Sequence, residues 1–246
     1  MLTIIQVGDN PASNVYIRNK VKAIKEAGLK AEVVKLPGYT STQAVINAIA
    51  DAKFSTAIMV QLPLPEHINK EQVLNCIPPW KDIDGLRQHS DYKPLTPCAI
   101  MRWLREKGVQ LEGKNVTILG RSELVGKPLA NMMIDAGATV TVCNSRTADM
   151  TREFQCMDAD IVVSAVGKPN TVTPSCVSGI GDKQIFIDVG INRDENGKLC
   201  GDISERAKDL IEHAGSEYTP VPGGVGKWTV RELVLRLKEM ECVADE

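Results

Sequence analysis

The chain alternates short apolar runs with amphipathic stretches, and the two periods separate along its length. Leu2–Val7 (LTIIQV) reads as a strand, followed by a turn at Gly8-Asp9-Asn10-Pro11. A helix is expected from about Asn14 to Ala27, closed by Gly28. Ala31–Leu36 reads as a second strand. Across Thr42–Ala52, the residues Ala44, Val45, Ala48, Ile49 and Ala52 share one helical face, with Ser41 or Thr42 as N-cap. Ala57–Leu62 (AIMVQL) is a continuous apolar run, the sign of a parallel strand covered on both faces. It stops at Pro63 and Pro65, which cannot donate to a ladder.

Thr96-Pro97 predicts an N-cap and a first-turn proline, opening a helix that Gly108 ends and that bridges to a second unit. There the expected elements are strand Asn115–Leu119, helix Gly126–Ala136, and strands Thr139–Cys143, Ile161–Ala165 and Ile185–Val189. A last amphipathic helix, Thr229–Met240, follows the glycine-rich turn Pro222–Gly226. Strands alternating with helices predict an α/β protein of two lobes, with parallel sheets and right-handed crossovers.

With 246 residues the chain has room for two cores. A net charge of -2 gives no general field for nucleic acid or an anionic membrane. No apolar run reaches the roughly 20 residues that a membrane span needs, and the start does not resemble a signal peptide. The seven cysteines are odd in number and never spaced C-x-x-C, which points to free thiols in a reducing cytosol. The three histidines add no metal-ligand spacing, so no metal is expected.

Within S-N-V-Y-I-R-N-K, Tyr16 and Lys20 stand four apart, so a ring and an amine share one helical face. A lysine at the mouth of a strand-to-helix turn can be desolvated and brought toward proton transfer. By itself the pair also fits an exposed stripe, the commoner occurrence. Gln61 closes the buried strand, where α/β ligand sites form, within reach of Lys20; a capping amide for loop backbone fits as well. Asp82 and Asp84 in K-D-I-D-G form a turn in which one carboxylate can meet a donor-rich heterocycle, although Asx-turn residues are commoner.

In V-T-I-L-G-R-S-E-L-V-G-K-P, Gly120 ends a strand and Gly126 begins a helix, so backbone N–H groups and the helix dipole can face a phosphate. The spacing differs from G-x-G-x-x-G, with Ser122 in the middle place, and an ordinary strand–turn–helix connection remains open. The next strand ends Cys143-Asn144-Ser145-Arg146-Thr147, without the carboxylate that holds a ribose 2′-hydroxyl. With Arg121 nearby, Ser145 and Arg146 suit a 2′-phosphate, which favours NADP over NAD.

Taken together, V-G-D-N-P-A-S-N-V-Y-I-R-N-K, V-Q-L-P-L-P, K-D-I-D-G, L-T-P-C, G-R-S-E-L-V-G-K-P, A-D-I-V-V-S-A-V-G-K-P, I-D-V-G-I-N and T-P-V-P-G-G-V-G resemble the methylenetetrahydrofolate dehydrogenase/cyclohydrolase family. The segments occur in the family's order and cover nearly the whole chain. The resemblance implies NADP-dependent oxidation of 5,10-methylenetetrahydrofolate to the methenyl cation, then hydrolysis to 10-formyltetrahydrofolate. It matches Lys20 to the general acid/base, Gln61 to that lysine's partner, Tyr16 to the stacking ring and Asp84 to the pterin-binding carboxylate. Pro222, Gly223 and Gly224 match the substrate loop. Gly120, Arg121, Ser122, Val125, Gly126, Ser145, Arg146 and Ile191 match cofactor contacts. A folate-binding domain of residues 1–100, joined by a C-terminal helix at 227–246, and an NADP-binding Rossmann domain of residues 101–226 are implied, with a cytosolic homodimer.

Proton transfer near neutral pH requires the family's lysine to be shifted down by burial and a non-anionic partner, a role for which an amide suits better than a carboxylate. The chain departs from the family at Asn144, where histidine is frequent, and at Lys227-Trp228, which replace a usual Pro-Met. The family also has a helix before its first strand, so this sequence is expected to be truncated or to lack that packing element. Three rival readings remain: a dehydrogenase without the hydrolytic step, a non-catalytic folate- or NADP-binding protein, and an unrelated Rossmann dehydrogenase of a small acid. The last leaves Tyr16, Lys20 and Gln61 unexplained.

Overall fold

The computed structural model describes residues 1–179 and 183–244; Asp245 and Glu246, the end of the expected C-terminal helix, lie outside them. In chain order the elements are β1 (Leu2–Val7), α1 (Pro11–Glu26), β2 (Ala31–Leu36), α2 (Thr42–Asp51), β3 (Ala57–Val60), α3 (Lys70–Asn75), α4 (Leu95–Glu106), β4 (Asn115–Leu119) and α5 (Gly126–Asp135). Next come β5 (Thr139–Cys143), α6 (Asp149–Met157), β6 (Ile161–Ser164), β7 (Ile185–Asp188), β8 (Asn192–Arg193), β9 (Leu199–Cys200), α7 (Glu205–His213), β10 (Glu217–Tyr218) and α8 (Val225–Ala244). The chain divides into two compact units, one of Met1–Leu95 with Val230 and the residues after it, the other of Thr96–Thr229.

The first unit is built on a parallel sheet of order β2-β1-β3. All six residues of β1 and all four of β3 are buried. Ile17 and Ile24 of α1 and Leu233, Leu237 and Met240 of α8 join Leu2, Ile4 and Met59 in one apolar cluster. A second cluster unites Ile5 and Val60 with Val45 and Ile49 of α2. Both strands are therefore sealed, and the two polar side chains inside β1 are met internally, Thr3 by Glu32 and Ser55 and Gln6 by Asn14.

The second unit holds a five-stranded parallel sheet of order β10-β7-β6-β4-β5. Three expected helix starts move, and the expected strand Ala57–Leu62 ends at Val60. Helix α1 begins at Pro11, because the Asn10 side chain accepts from the N–H groups of Ala12 and Ser13 and makes Asn10 the cap. Helix α4 begins at Leu95, which places Thr96 inside its first turn, and α8 begins at Val225, inside the expected glycine-rich turn. Helices α6 and α7, not expected from the sequence, bury Cys156 in the first and Ala207 and Ile211 in the second. Cys143, Cys156 and Cys176 serve as small apolar core groups of this unit.

Two buried carboxylates tie the ends of β6 and β7 together. Asp202 accepts from Ser164 Oγ (2.8 Å), the backbone N–H groups of Val166 (3.0 Å), Gly167 (3.2 Å) and Lys168 (3.0 Å), and Asn192 Nδ2 (2.9 Å). Asp188 accepts from the backbone N–H groups of Gly190, Asp202 and Ile203. A Cβ on Gly190 would overlap the Asp202 carboxylate, and one on Gly201 would overlap that of Asp188. Burial is the largest influence on Asp188 and pushes its carboxyl up to about 6, against the three backbone donors.

A folded-state value above the unfolded one means that protonation favours the fold. This contribution is complete below the unfolded carboxylate range and is lost as pH rises through about 6. The stability difference between the parent and Asp188→Asn, measured by urea unfolding, is expected to grow by about 1 kcal/mol from pH 7 to pH 5.

Candidate active site

In the first unit the sealed strands deliver side chains at their carboxyl ends. Gln61 is the first residue past β3, and its N–H still donates to Ile5 O (2.9 Å), so the strand's direction is kept. Its Nε2 donates to Leu62 O at 2.6 Å, which turns Oε1 the other way. Lys20, buried on α1, donates from Nζ to that Oε1 at 3.1 Å and approaches Met59 Sδ at 3.1 Å. Lys20 forms no ion pair among the described residues. Tyr16 lies one turn earlier on α1 and is half-buried, and burial raises its phenol, which stays protonated near neutral pH.

The structure separates the paired aspartates. Asp82 is fully buried and accepts from the backbone N–H of Arg87 at 2.9 Å, so it braces the turn. The Asp84 side chain accepts no hydrogen bond from a described residue. Asp84 as a whole is half-buried, yet the desolvation acting on its carboxyl is that of a group deep in the protein. That desolvation raises it; the Lys20 ammonium draws it down, Asp82 pushes it up, and Arg236 draws it down. Lys20, Gln61 and Asp84 thus form one electrostatic group. Met59 was not anticipated, although its place two residues before Gln61 puts it on the same side of the strand.

In the second unit, Gly120 N–H donates to Cys143 O, which aligns the ends of β4 and β5. Gly120 has φ +108°, and a Cβ there would lie 2.6 Å from Ala165 O; one on Gly126 would overlap Gly120 O. The turn is therefore closed so tightly that only glycines fit. Ser122 Oγ accepts from the Val125 N–H (3.2 Å), and Ser122 O accepts from the Lys127 N–H (3.1 Å). With Pro128 lacking an N–H, Gly126 N–H is the first-turn donor of α5 that meets no acceptor among the described residues. Arg121, Ser145 and Arg146 are exposed, and neither guanidinium is ion-paired to a described residue.

Asn144 Oδ1 accepts from the Arg146 N–H at 3.0 Å, shaping the β5 end without any carboxylate. Ile191, just past β7, is exposed. Pro222 and Gly223 are exposed as well, Gly223 has φ +110°, and a Cβ on Gly224 would lie 2.5 Å from Pro220 O. Among the described residues no group of three or more His, Cys, Asp or Glu side chains is placed to hold a metal ion.

Residues 1–84 match the tetrahydrofolate dehydrogenase/cyclohydrolase catalytic domain, and residues 94–243 match the NAD(P)-binding domain of the same enzymes. The chain belongs to the tetrahydrofolate dehydrogenase/cyclohydrolase family. The bifunctional protein FolD of Streptococcus pneumoniae serotype 4 is 43% identical over 245 residues, covering 95% of this chain and 83% of that protein. The crystal structure of the Campylobacter jejuni enzyme FolD is 36% identical, with a TM-score of 0.88 over 98% of this chain and 88% of that one. The Trypanosoma brucei dehydrogenase-cyclohydrolase, solved with NADP and an inhibitor, is 32% identical, with a TM-score of 0.89 over 100% and 87% of the two chains. The family's glycine turn in this chain leaves no room for a side chain. Gly126→Ala is expected to force β4 and α5 apart and cost about 1–3 kcal/mol, read as a lower Tm.

Proposed function

We propose that this chain is a bifunctional enzyme of folate one-carbon metabolism: an NADP-dependent methylenetetrahydrofolate dehydrogenase that is also a methenyltetrahydrofolate cyclohydrolase. The observation that carries the reading is the buried Lys20 amine held by the Gln61 amide oxygen, with no carboxylate in ion-pair range. Hydride transfer alone requires no such amine, whereas hydrolysis of the methenyl cation moves protons.

NADP, when bound, supplies the hydride acceptor for the first reaction. The open turn at Gly120, Arg121, Ser122, Val125 and Gly126 fits its diphosphate, because backbone N–H groups and the α5 dipole favour an anion there. Arg121, Ser145 and Arg146 fit its 2′-phosphate, since both guanidiniums are exposed and unpaired. Ile191 offers an exposed apolar surface to a flat ring of the cofactor. Tyr16 lies against a ring of the folate, and Asp84 accepts from the pterin's donor-rich edge. Pro222, Gly223 and Gly224 let backbone approach the substrate closely.

In the second reaction, water adds to the methenyl carbon and Lys20 Nζ takes one of its protons. The carbon–nitrogen bond to the pterin ring then breaks, and Nζ returns that proton to the departing ring nitrogen. The second water proton goes to solvent. Gln61 keeps Nζ aimed.

The folate unit is assigned to residues 1–100 with 227–246 and the cofactor unit to 101–226, supported by the compact division of the chain. A cytosolic homodimer completes the reading; the seven free cysteines support a reducing compartment.

The direct test mixes protein, methylenetetrahydrofolate and either nucleotide and follows the absorbance of reduced nicotinamide. Reduction with NADP supports the reading, and no signal from folded protein refutes it. Lys20→Met is expected to lower methenyl hydrolysis by about 100-fold or more while NADP affinity holds; undiminished hydrolysis refutes the lysine's role. Arg146→Ala is expected to raise the Kd for NADP by about 10-fold or more and leave that for NAD nearly unchanged, measured by fluorescence titration.

A further inference from the structure

Arg236 is the charged residue that no motif accounts for. It sits on α8, is 6% exposed, and lies far along the chain from the site residues of its unit. Burying a guanidinium is unfavourable unless acceptors meet it. Here Nη1 donates to Ile83 O at 2.9 Å and to Lys93 O at 2.8 Å, and the guanidinium carbon stands 5.4 Å from the centre of the Tyr92 ring.

These contacts lie on the two limbs of one loop. Ile83 immediately precedes Asp84, so the first hydrogen bond fixes the peptide unit that carries Asp84. Asp84 O accepts from Leu95 N–H at 3.2 Å, where the loop enters α4. Gly85 has φ +67°, and a Cβ there would lie 2.6 Å from both Tyr92 O and Lys93 O, so the limbs touch along their backbones. Arg236 fastens the limbs together at that point.

We infer that Arg236 is a positioning residue for the folate reactions: it clasps the 83–93 loop and thereby holds the Asp84 carboxylate where the pterin is read. The inference rests on the proposed role of Asp84. A loop free to open would let that carboxylate turn to water. Arg236 also places a positive charge near Asp84, opposed by burial and by Asp82 and aided by Lys20.

The experiment compares Arg236→Met, Arg236→Lys and Asp84→Asn in steady-state dehydrogenase assays across pH, with NADP binding and Tm as controls. Arg236→Met is expected to raise the KM for methylenetetrahydrofolate by about 10- to 100-fold, from the loss of two charge-assisted hydrogen bonds, with the Kd for NADP unchanged. Removing the positive charge makes Asp84 protonate at higher pH, so the acid-side rise in KM is expected to begin at higher pH than in the parent. A role confined to folding would not move that limb. Arg236→Lys keeps the charge, but its shorter side chain does not carry an amine to the place of Nη1, from which both hydrogen bonds run; its acid limb is expected to stay in place while KM rises by a smaller factor. This variant decides the matter if Arg236→Met does not fold, since parental KM in Arg236→Lys overturns the inference. A raised KM for Asp84→Asn beside a parental KM and acid limb in folded Arg236→Met overturns the inference alone. An unchanged KM for Asp84→Asn overturns the substrate reading and the inference with it.

Discussion

The constraint on which the first unit depends is the complete covering of β1 and β3. A parallel strand with helices on both faces has no exposed side on which to place a polar group, so chemistry is confined to residues beyond its last ladder bond. Gln61 occupies that place: its backbone still belongs to the sheet through Ile5, while its side chain has left it. The bond from Nε2 to Leu62 O then settles which end of the amide faces Lys20. A rigid strand, one backbone bond and one side-chain bond together orient the amine, and no charged partner is needed.

The same logic takes a different form in the second unit. There the strand ends are held by anions inside the protein rather than by loop packing: Asp202 gathers three consecutive backbone N–H groups after β6, and Asp188 gathers those of the segment that crosses it. These carboxylates use up local donors, whereas at the head of α5 the Gly126 N–H meets no acceptor among the described residues. The donors that follow β6 are thus met by carboxylates inside the protein, while those between β4 and α5 are met in part by Ser122.

Much of this was legible in the sequence because strands sealed on both faces are written as largely apolar runs, as AIMV and IVV are. Gln61 was visible because it ends such a run, and Lys20 because it stands four residues from Tyr16 on the helix that follows one. Arg236 was not: a single cation on a helix reads as a solvated face, and its partners are carbonyls 143 and 153 residues away, which no local pattern encodes. The distinct duties of Asp82 and Asp84 were also hidden. Both fit a turn, and only burial shows that one braces backbone while the other keeps its oxygens unengaged. Helices α6 and α7 were missed as well: each is nine residues long and buries only one or two side chains.

The interlock of Gly190 with Asp202 and Gly201 with Asp188 restricts how this region can drift over time. Each glycine is walled in by the carboxylate of its own partner, so enlarging either one calls for a smaller residue in place of that aspartate. Shortening an aspartate first strands the amides that it satisfies, and enlarging a glycine first produces a steric collision. Every one-step route out of the quartet passes through a damaged intermediate, so these four positions are expected to change together or remain fixed while the surrounding surface varies.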